Sequence, residues 1–485
     1  MSLLNMTSVN IALPTIMEVF GVDVQEGQWV ITAYSIAMAV VIPMSGFLAE
    51  KVGMKRMYML TMALFVIGSL MCCLAWNLQS LVFFRVLQGL GGGMLQPLNM
   101  AIVFSVVSPR ERGQFMGLLG LPMLAAPLLG PTVGGYLIEY VDWRSIFFIN
   151  LPIGIIGLTL AALLLRETPA RRSAPLDVVG LVLSTIAFPS LLLGFTFGAR
   201  DGWGAVGVQL FLVAGLITFV TWIAVELLQQ EPMLDLRLFT NPTYSICMAL
   251  NFVLNLSLHG TQLLLPLFLQ TGQGLNALQA GIILVPQGIA GFISMNVAGR
   301  MYNWAGPRPI AIFGTLLMIF TTWSFSRLGI GASPGVVAWL STLRGASMGF
   351  CHLPVQTAAY NTVPQEKMPR ATALNNGFMR IYATFSTAFL ATVLHSRSVF
   401  HYGHLSAAMT RNRPAVATVM ARASLANGAQ ALLPVRVLTR EVQRQSLMSA
   451  FSDTFLLLTV FSVFGLALAL FLKDDAIREE KHVEG

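Results

Sequence analysis

The chain has 485 residues, of which 55% are hydrophobic and only 10% carry a charged side chain. Soluble domains have about 25% charged residues, so the composition excludes a soluble protein and indicates one that crosses a membrane several times. The net charge of +8 does not indicate a nucleic-acid partner, because Lys and Arg collect in short loops between apolar segments. The four cysteines fall inside those segments, so we expect no structural disulfide, metal site or cofactor.

Fourteen apolar segments follow one another along the chain. They are residues 1–20, 29–49, 57–76, 79–107, 113–140, 144–165, 176–198, 207–228, 243–270, 277–302, 307–327, 334–363, 369–394 and 448–472. Most have the roughly 20 residues that cross the hydrocarbon core of a bilayer. The first is short for a full span, and we expect the chain to lack the start of this helix. The pattern predicts an all-α membrane protein with fourteen transmembrane helices.

Basic residues are concentrated in alternate connections between these segments, from the loop at 50–56 to the tail at 473–485. The short connections on the other side carry only Arg144, Arg200 and Arg327. Basic loops stay in the cytoplasm, so we expect both termini to be cytoplasmic and the protein to lie in the plasma (inner) membrane. The last external connection, 395–447, is predicted to be a long loop.

The sequence also repeats itself at matched spacing. The matched positions are Gln88, Gly89, Gly93 and Gln96 with Arg344, Gly345, Gly349 and His352, and Gly46, Glu50, Gly53 and Lys55 with Gly299, Asn303, Gly306 and Arg308. Two similar halves that rock about a site at the bilayer midplane are a recurrent transporter design. The predicted organisation is two pseudo-symmetric six-helix bundles (1–165 and 237–472), two inserted central helices (166–236) and a cytoplasmic tail (473–485).

Glycine and proline are frequent in the segment 113–140, where Gly130, Pro131, Gly134 and Gly135 come close together. Gly130 and Gly134 stand four apart on one helix face, where small residues let another helix approach. One interpretation is a tightly packed, kinked helix; the other is a bending element, or hinge, of a moving protein.

The loop after the second segment holds a candidate conformational gate. Its residues are Gly46, Glu50, Gly53, Lys55 and Arg56. The glycines permit a tight turn and close packing, and Glu50 can pair with a basic side chain and act as a latch between the halves. The alternative is that this loop only orients the chain by its positive charge.

Four motifs resemble those of a known family. GFLAEKVGMKR (46–56), LVFFRVLQGLGGG (81–93), APLLGPTVGG (126–135) and WRSIFFINLPIG (143–154) resemble the signature loop, the fourth-helix motif, the antiporter motif and the start of helix six in the major facilitator superfamily, fourteen-helix drug/proton antiporter branch. The resemblance implies a proton-driven exporter of lipophilic compounds that works by alternating access.

The chain departs from that family in its first helix, where Asn5 stands at the position of a usual acidic residue. No Asp or Glu lies clearly at a helix centre, so neutral, weakly cationic or lipid-like substrates are favoured over dications. Proton coupling then falls to Arg85, a cation inside an apolar segment, and to His259 and His352, because histidine has an ordinary pKa of about 6.5.

Polar residues at helix centres are candidates for lining a substrate cavity. They are Asn5, Tyr34, Gln96, Asn99, Asn255, His259, Gln262, Gln287, His352, Gln356, Asn375 and Arg380. The sequence thus favours a secondary transporter that exports lipophilic small molecules in exchange for protons, with membrane lipids around it and a periplasmic adaptor if it comes from a double-membrane bacterium. A lipid or glycolipid flippase on the same scaffold is the alternative. A membrane-embedded enzyme is disfavoured, because no nucleophile or metal-binding motif is found.

Overall fold

A computed structural model describes residues 2–107, 111, 115, 133–167, 177–229, 232–408 and 433–472, and these ranges contain helices but no strand. The long helices are α1 (Ser2–Phe20), α2 (Trp29–Val52), α3 (Met54–Cys73), α4 (Leu78–Val106), α5 (Asn150–Leu164), α6 (Val178–Asp201), α7 (Val206–Leu228), α8 (Pro242–Leu267), α9 (Ala277–Ala305), α10 (Pro307–Ser326), α11 (Pro334–Asn361), α12 (Met368–Ala408) and α13 (Leu433–Leu470). Residues 133–140 are also helical.

Ten helical segments within these ranges are long and apolar enough to cross a membrane. An eleventh results if the two arms of α2, Trp29–Val41 and Met44–Val52, are counted as one span across a bend of 56°. Pro43 lies between the arms, and a proline inside a helix removes a backbone donor and bends the axis. The predicted multi-pass, all-helical membrane protein is confirmed, whereas the number of fourteen helices stays a prediction.

The matched loops of the repeat turn through glycines with the same backbone conformation. Gly53, between α2 and α3, has a φ of 100°, and Gly306, between α9 and α10, has a φ of 78°. L-residues other than glycine rarely adopt this region. The glycines let each helix end and the next begin within one residue.

The repeat also extends to helix packing. A Cβ atom added at Gly89 of α4 would lie 2.7 Å from the carbonyl oxygen of Tyr34 in α2, and one at Gly345 of α11 would meet the carbonyl oxygen of Gln287 in α9. Tyr34 and Gln287 both stand twelve residues before the first glycine of the matched loops. The pairs α2–α4 and α9–α11 therefore approach each other through equivalent glycines, as small residues allow in membranes.

The two helices of the predicted central insertion, α6 and α7, pack on each other, and α6 also contacts α2 and α12. Phe188 of α6 and Trp222 of α7 meet edge to face with ring centroids 5.6 Å apart. The inserted pair thus contacts one helix of residues 1–165 and one of residues 237–472.

The structure corrects the external loop predicted over 395–447. Helix α12 continues to Ala408, and α13 already begins at Leu433. Asp453 of α13 accepts contacts at 2.6 Å from Arg397 and at 2.7 Å from His401 of α12. Hydropathy marks only the part of a helix that suits lipid, so it missed polar helix ends that are stabilised by contacts between helices.

Candidate functional site

An ion pair joins the two parts of the repeat at the membrane side that carries the basic loops, which we call the basic rim. Arg370 at the start of α12 donates from Nη2 to Glu50 Oε2 of α2 at 2.8 Å, and its Nε lies 3.1 Å and 3.0 Å from the two carboxylate oxygens. The side chains are only 7% and 11% exposed. Arg370 Nη1 also donates to the carbonyl of Pro232 at 3.1 Å. Arg370 thus binds the carboxylate through two of its nitrogens, Nη2 and Nε, and such a bidentate ion pair favours a defined geometry.

Close backbone packing accompanies the ion pair. A Cβ atom at Gly46 would meet the carbonyl oxygen of Pro369 and lie 2.9 Å from the Cα of Arg370. Backbone atoms cannot move aside as a flexible side chain can, so the approach of α2 to α12 requires glycine here. A second ion pair, Lys367 Nζ to Asp235 Oδ2 at 2.7 Å, lies on the same rim.

Of the remaining gate residues, Lys55 and Arg56 contact the end of α5 and the residues just after it, not α12. Lys55 Nζ donates to the carbonyl of Ala162 at the end of α5, and Arg56 Nε lies 3.4 Å from Glu167 Oε2. Gly53 makes the turn between α2 and α3. The predicted gate thus divides into Gly46 and Glu50, which face α12, and three residues that shape and anchor the loop.

Arg85 of α4 lies in the interior rather than at an edge, at 1% exposure. Its Nη1 donates to Asn5 Oδ1 at 2.7 Å and to Gln88 Oε1 at 2.6 Å, and its Nε donates to the Val30 carbonyl at 3.0 Å. The guanidinium also stacks 4.0 Å from the ring centroid of Tyr34. Buried cations need such partners; here all of the hydrogen-bond acceptors are neutral oxygens.

Arg344 of α11 is a second buried cation, and the repeat matches it to Gln88 rather than to Arg85. It donates to the hydroxyls of Ser257 at 2.6 Å, Thr261 at 3.3 Å and Ser347 at 3.4 Å. Ser257 and Thr261 belong to α8. Arg344 therefore ties α8 to α11, as Arg85 ties α1 and α2 to α4.

Arg380 of α12 has a different environment. The one hydrogen bond that its side chain makes to a described residue runs from Nη2 to the thioether sulfur of Met38 in α2, at 3.3 Å. His259 of α8 contacts Gln262 and lies in the field of Arg380. His352 of α11 lies near both Arg344 and His259. The two candidate proton-coupling histidines thus share a region with two arginines.

The residues predicted to line a substrate cavity differ in exposure. The buried ones are Asn5, Tyr34, Asn255 and Asn375. The half-buried ones are Gln96, His259, Gln287, His352, Gln356 and Arg380. The exposed ones are Asn99 and Gln262. Asn375 donates to the Tyr360 hydroxyl at 2.8 Å, so part of this set serves helix packing, and a cavity formed by all twelve stays a prediction.

A cavity of about 300 Å³ lies elsewhere, between α6, the turn before α7, and α12. Its walls include Phe195, Trp203, Phe385 and Phe389. None of the predicted cavity residues lines it.

Of the hinge residues, Gly130 and Pro131 lie outside the described residues. A Cβ atom at Gly134 would come 3.0 Å from Ser8 Cβ of α1, whereas one at Gly135 would meet no atom within 4 Å. Gly134 thus allows a close approach, and the hinge itself stays a prediction.

Sequence reasoning missed two features of the site. Arg370 was not among the predicted site residues, although it binds Glu50. Asp177 and Glu226 were not among them either, yet both carboxyl groups are buried and lie beside Gly180. Glu226 accepts hydrogen bonds from Trp222 Nε1 at 3.0 Å and from the Leu234 amide at 3.3 Å. The pairs Glu50–Arg370 and Asp177–Glu226 are far apart in the sequence, so no local spacing of residues indicates that they meet.

Comparisons with known proteins agree with this architecture. The sequence pattern of the Major Facilitator Superfamily matches residues 1–387. The chain is 31% identical over 495 residues to the uncharacterized MFS-type transporter YhcA of Bacillus subtilis, covering 100% of this chain and 93% of that protein. It is 33% identical over 400 residues to a multidrug resistance protein B homolog of Mycobacterium tuberculosis, covering 81% and 74% of the two chains.

A solved structure has the same fold. The human organic anion transporter MFSD10 superposes with a TM-score of 0.61 at 13% identity, over 95% of this chain and 96% of that one. At this identity the likeness concerns the fold alone.

Proposed function

Because the chain belongs to the Major Facilitator Superfamily and is a transporter rather than an enzyme, we propose that it exports lipophilic small molecules in exchange for protons. The multidrug resistance names of relatives such as the Mycobacterium tuberculosis protein support this substrate class, as do the apolar helices that surround the site.

The observation that carries the proposal is the ion pair between Glu50 and Arg370. It joins α2, within residues 1–165, to α12, within residues 237–472, and together with the Gly46 contact it holds the basic rim closed. In alternating access, a rim closed in one state must open in the other, so a charged contact across it acts as a latch. A substrate shifts the two states only by binding them with different affinities.

The proton site of the proposal consists of His259 and His352. Asn5 cannot titrate, and a guanidinium does not release its proton in proteins. Histidine changes its charge between about pH 5 and pH 8. Arg344 and Arg380 lie near these imidazoles, so the charge on each histidine is coupled to the cations beside it.

The proposal places the basic rim and both termini in the cytoplasm and the protein in the plasma membrane, because the basic loops lie on that side. A closed basic rim then corresponds to a state that faces outward. In a double-membrane bacterium, an adaptor would receive the exported substrate in the periplasm.

The test is efflux of a panel of dyes and antibiotics from cells that overproduce the chain, with and without a protonophore. We expect energy-dependent efflux that collapses when the protonophore is added. Cells with equal amounts of the Glu50→Gln variant serve as a matched control. Efflux equal to that of empty cells, with the protein in the membrane, would refute the exporter; movement of a fluorescent lipid between leaflets instead would identify the flippase.

A further inference from the structure

The three arginines inside the helical bundle use their hydrogen-bond donors very differently. Arg85 and Arg344 each donate to three oxygens of the protein. Arg380 donates to a single thioether, that of Met38, which is a weak acceptor. A guanidinium has five N–H donors, so nearly all of the binding capacity of Arg380 remains unused by the described residues.

Among the described residues, no carboxylate forms an ion pair with Arg380. Glu50 and Asp453, on helices that contact α12, bind Arg370 and Arg397 instead. Between Asp235 and Glu441 the sequence contains one acidic residue, Glu366, and this residue is exposed beside Lys367 at the basic rim. His259 lies in the field of Arg380, and Arg344 lies near His352 in the same region. This part of the bundle is therefore positive, and an anion is the species that it stabilises.

Arg380 also lies between helices of the two parts of the repeat. It lies on α12 and contacts α2, the two helices that meet across the repeat at Glu50 and Arg370. Ten residues separate it from Arg370, which is about 15 Å along a helix and about half of the hydrocarbon thickness of a bilayer. The residue keeps partial exposure, and its side chain lies between α2 and α12, which belong to different parts of the repeat.

We infer that Arg380 is the binding site for the acidic group of a lipophilic anion, such as an aromatic carboxylate or sulfonate. The inference rests on the proposed export function and narrows its substrate class. A carboxylate can accept two parallel hydrogen bonds from a guanidinium, whereas the Met38 thioether is a weak acceptor that engages a single donor. The cost of a cation without a counter-ion is then removed when the substrate binds.

The experiment uses three fluorescent probes that differ only in their head group: anthracene-9-carboxylate, 9-anthracenemethanol and 9-(aminomethyl)anthracene. Binding to the full chain in nanodiscs of zwitterionic lipid is measured for the native protein, Arg380→Gln and Arg380→Lys. Arg327→Gln, which removes an exposed arginine at the end of α10, is the matched control. Melting of each variant verifies that it is folded.

We expect the native protein and Arg327→Gln to prefer the carboxylate to the other two probes. Arg380→Gln should weaken carboxylate binding by about tenfold or more and leave the alcohol within about twofold, as loss of a charged hydrogen bond predicts. Arg380→Lys should retain the preference for the carboxylate over the amine. If Arg380→Gln does not fold, the order of the three probes in the native protein and in Arg380→Lys decides the question.

Equal binding of the three probes by the native protein, or an equal loss of all three in folded Arg380→Gln, would overturn the inference. Competition by phosphatidylglycerol in the nanodisc would identify a lipid head group as the anion, whereas competition by a free fatty acid alone would identify a soluble amphiphile. Export of the alcohol without preference for the carboxylate refutes the anion site but keeps the exporter. Binding of the carboxylate without export of any probe refutes the exporter but keeps the site.

Discussion

Helices α2 and α12 meet at two levels of the membrane, and the chemistry of the two contacts is opposite. At the basic rim, Arg370 of α12 binds the carboxylate of Glu50 through three contacts of 2.8–3.1 Å. Ten residues along α12, Arg380 reaches only the thioether of Met38. The same helix pair thus forms an ion pair at one end, whereas Arg380 at its middle has no counter-ion among the described residues. At the rim the protein itself supplies the counter-ion; at the centre we propose that a ligand supplies it.

The largest effect is expected where the rim contact depends on shape alone. Gly46→Leu places a side chain against the Pro369 carbonyl and the Arg370 backbone, so the rim cannot close and we expect export to fall to background. Gly207→Leu is the control, because a Cβ atom there meets no atom within 4 Å. Efflux at equal expression is the measurement; near-native efflux by Gly46→Leu would show that α2 and α12 need not approach so closely during transport.

The next effect concerns the charge of the latch. Glu50→Gln leaves the Arg370 guanidinium without its counter-ion, and breaking such a pair costs about 3–5 kcal/mol, so the closed rim should lose most of its population. The additional change Arg370→Gln should restore part of it, because no charge is then left unpaired. Spin labels at positions 51 and 366 report the opening of the rim. Unchanged label distances in the single variant would contradict the latch.

A smaller effect is expected at the centre if the proton binds beside the arginines. Replacing His259 and His352 together by Gln should remove most of the ΔpH-driven efflux and flatten its dependence between about pH 5 and pH 8, where histidine titrates. Transport down a substrate gradient should remain. Proteoliposomes with an imposed pH gradient provide the measurement, and an intact pH profile would assign the proton to a carboxyl group such as Glu226.

The smallest effect is expected for a basic residue of the same loop that does not face α12. Lys55 contacts the Ala162 carbonyl within residues 1–165, so Lys55→Gln should change export by less than about twofold, as for other surface substitutions. The comparison with Glu50→Gln separates the role of this loop as a latch from its role in orientation. A loss as large as that of Glu50→Gln would show that the whole loop, and not one carboxylate, governs the rim.

The sequence predicted those parts of the site that depend on local pattern. The repeat predicted equivalent glycines, and the structure places Gly89 on Tyr34 as it places Gly345 on Gln287. Arg85 was predicted as a cation inside an apolar segment, and the structure places it in the interior. Asn5 was noted as a missing acid and as a cavity candidate, but not as an acceptor for Arg85.

What could not be predicted involves contacts between distant residues. Glu50 and Arg370 are separated by 320 positions, and no local spacing identifies one as the partner of the other. The ends of α12 and α13 were missed for a related reason, since Arg397, His401 and Asp453 stabilise polar helical turns only by meeting each other. The N–H donors of Arg380 that lack a partner among the described residues can be identified only when the neighbouring residues have been placed in three dimensions.

Because α2 is bent, rotation of one arm about its own axis displaces the other arm sideways. Met38 and Tyr34 belong to the arm Trp29–Val41, whereas Glu50 belongs to the arm Met44–Val52, and the arms meet at 56°. With a rise of 1.5 Å per residue, Glu50 stands about 9 Å off the axis of the first arm. Turning that arm by about 20° about its own axis would therefore carry Glu50 sideways by about 3 Å, which is as long as its bonds to Arg370. A small rotation of the arm that contacts Arg380 would therefore break the ion pair between Glu50 and Arg370, and neither arm would have to stretch or unwind.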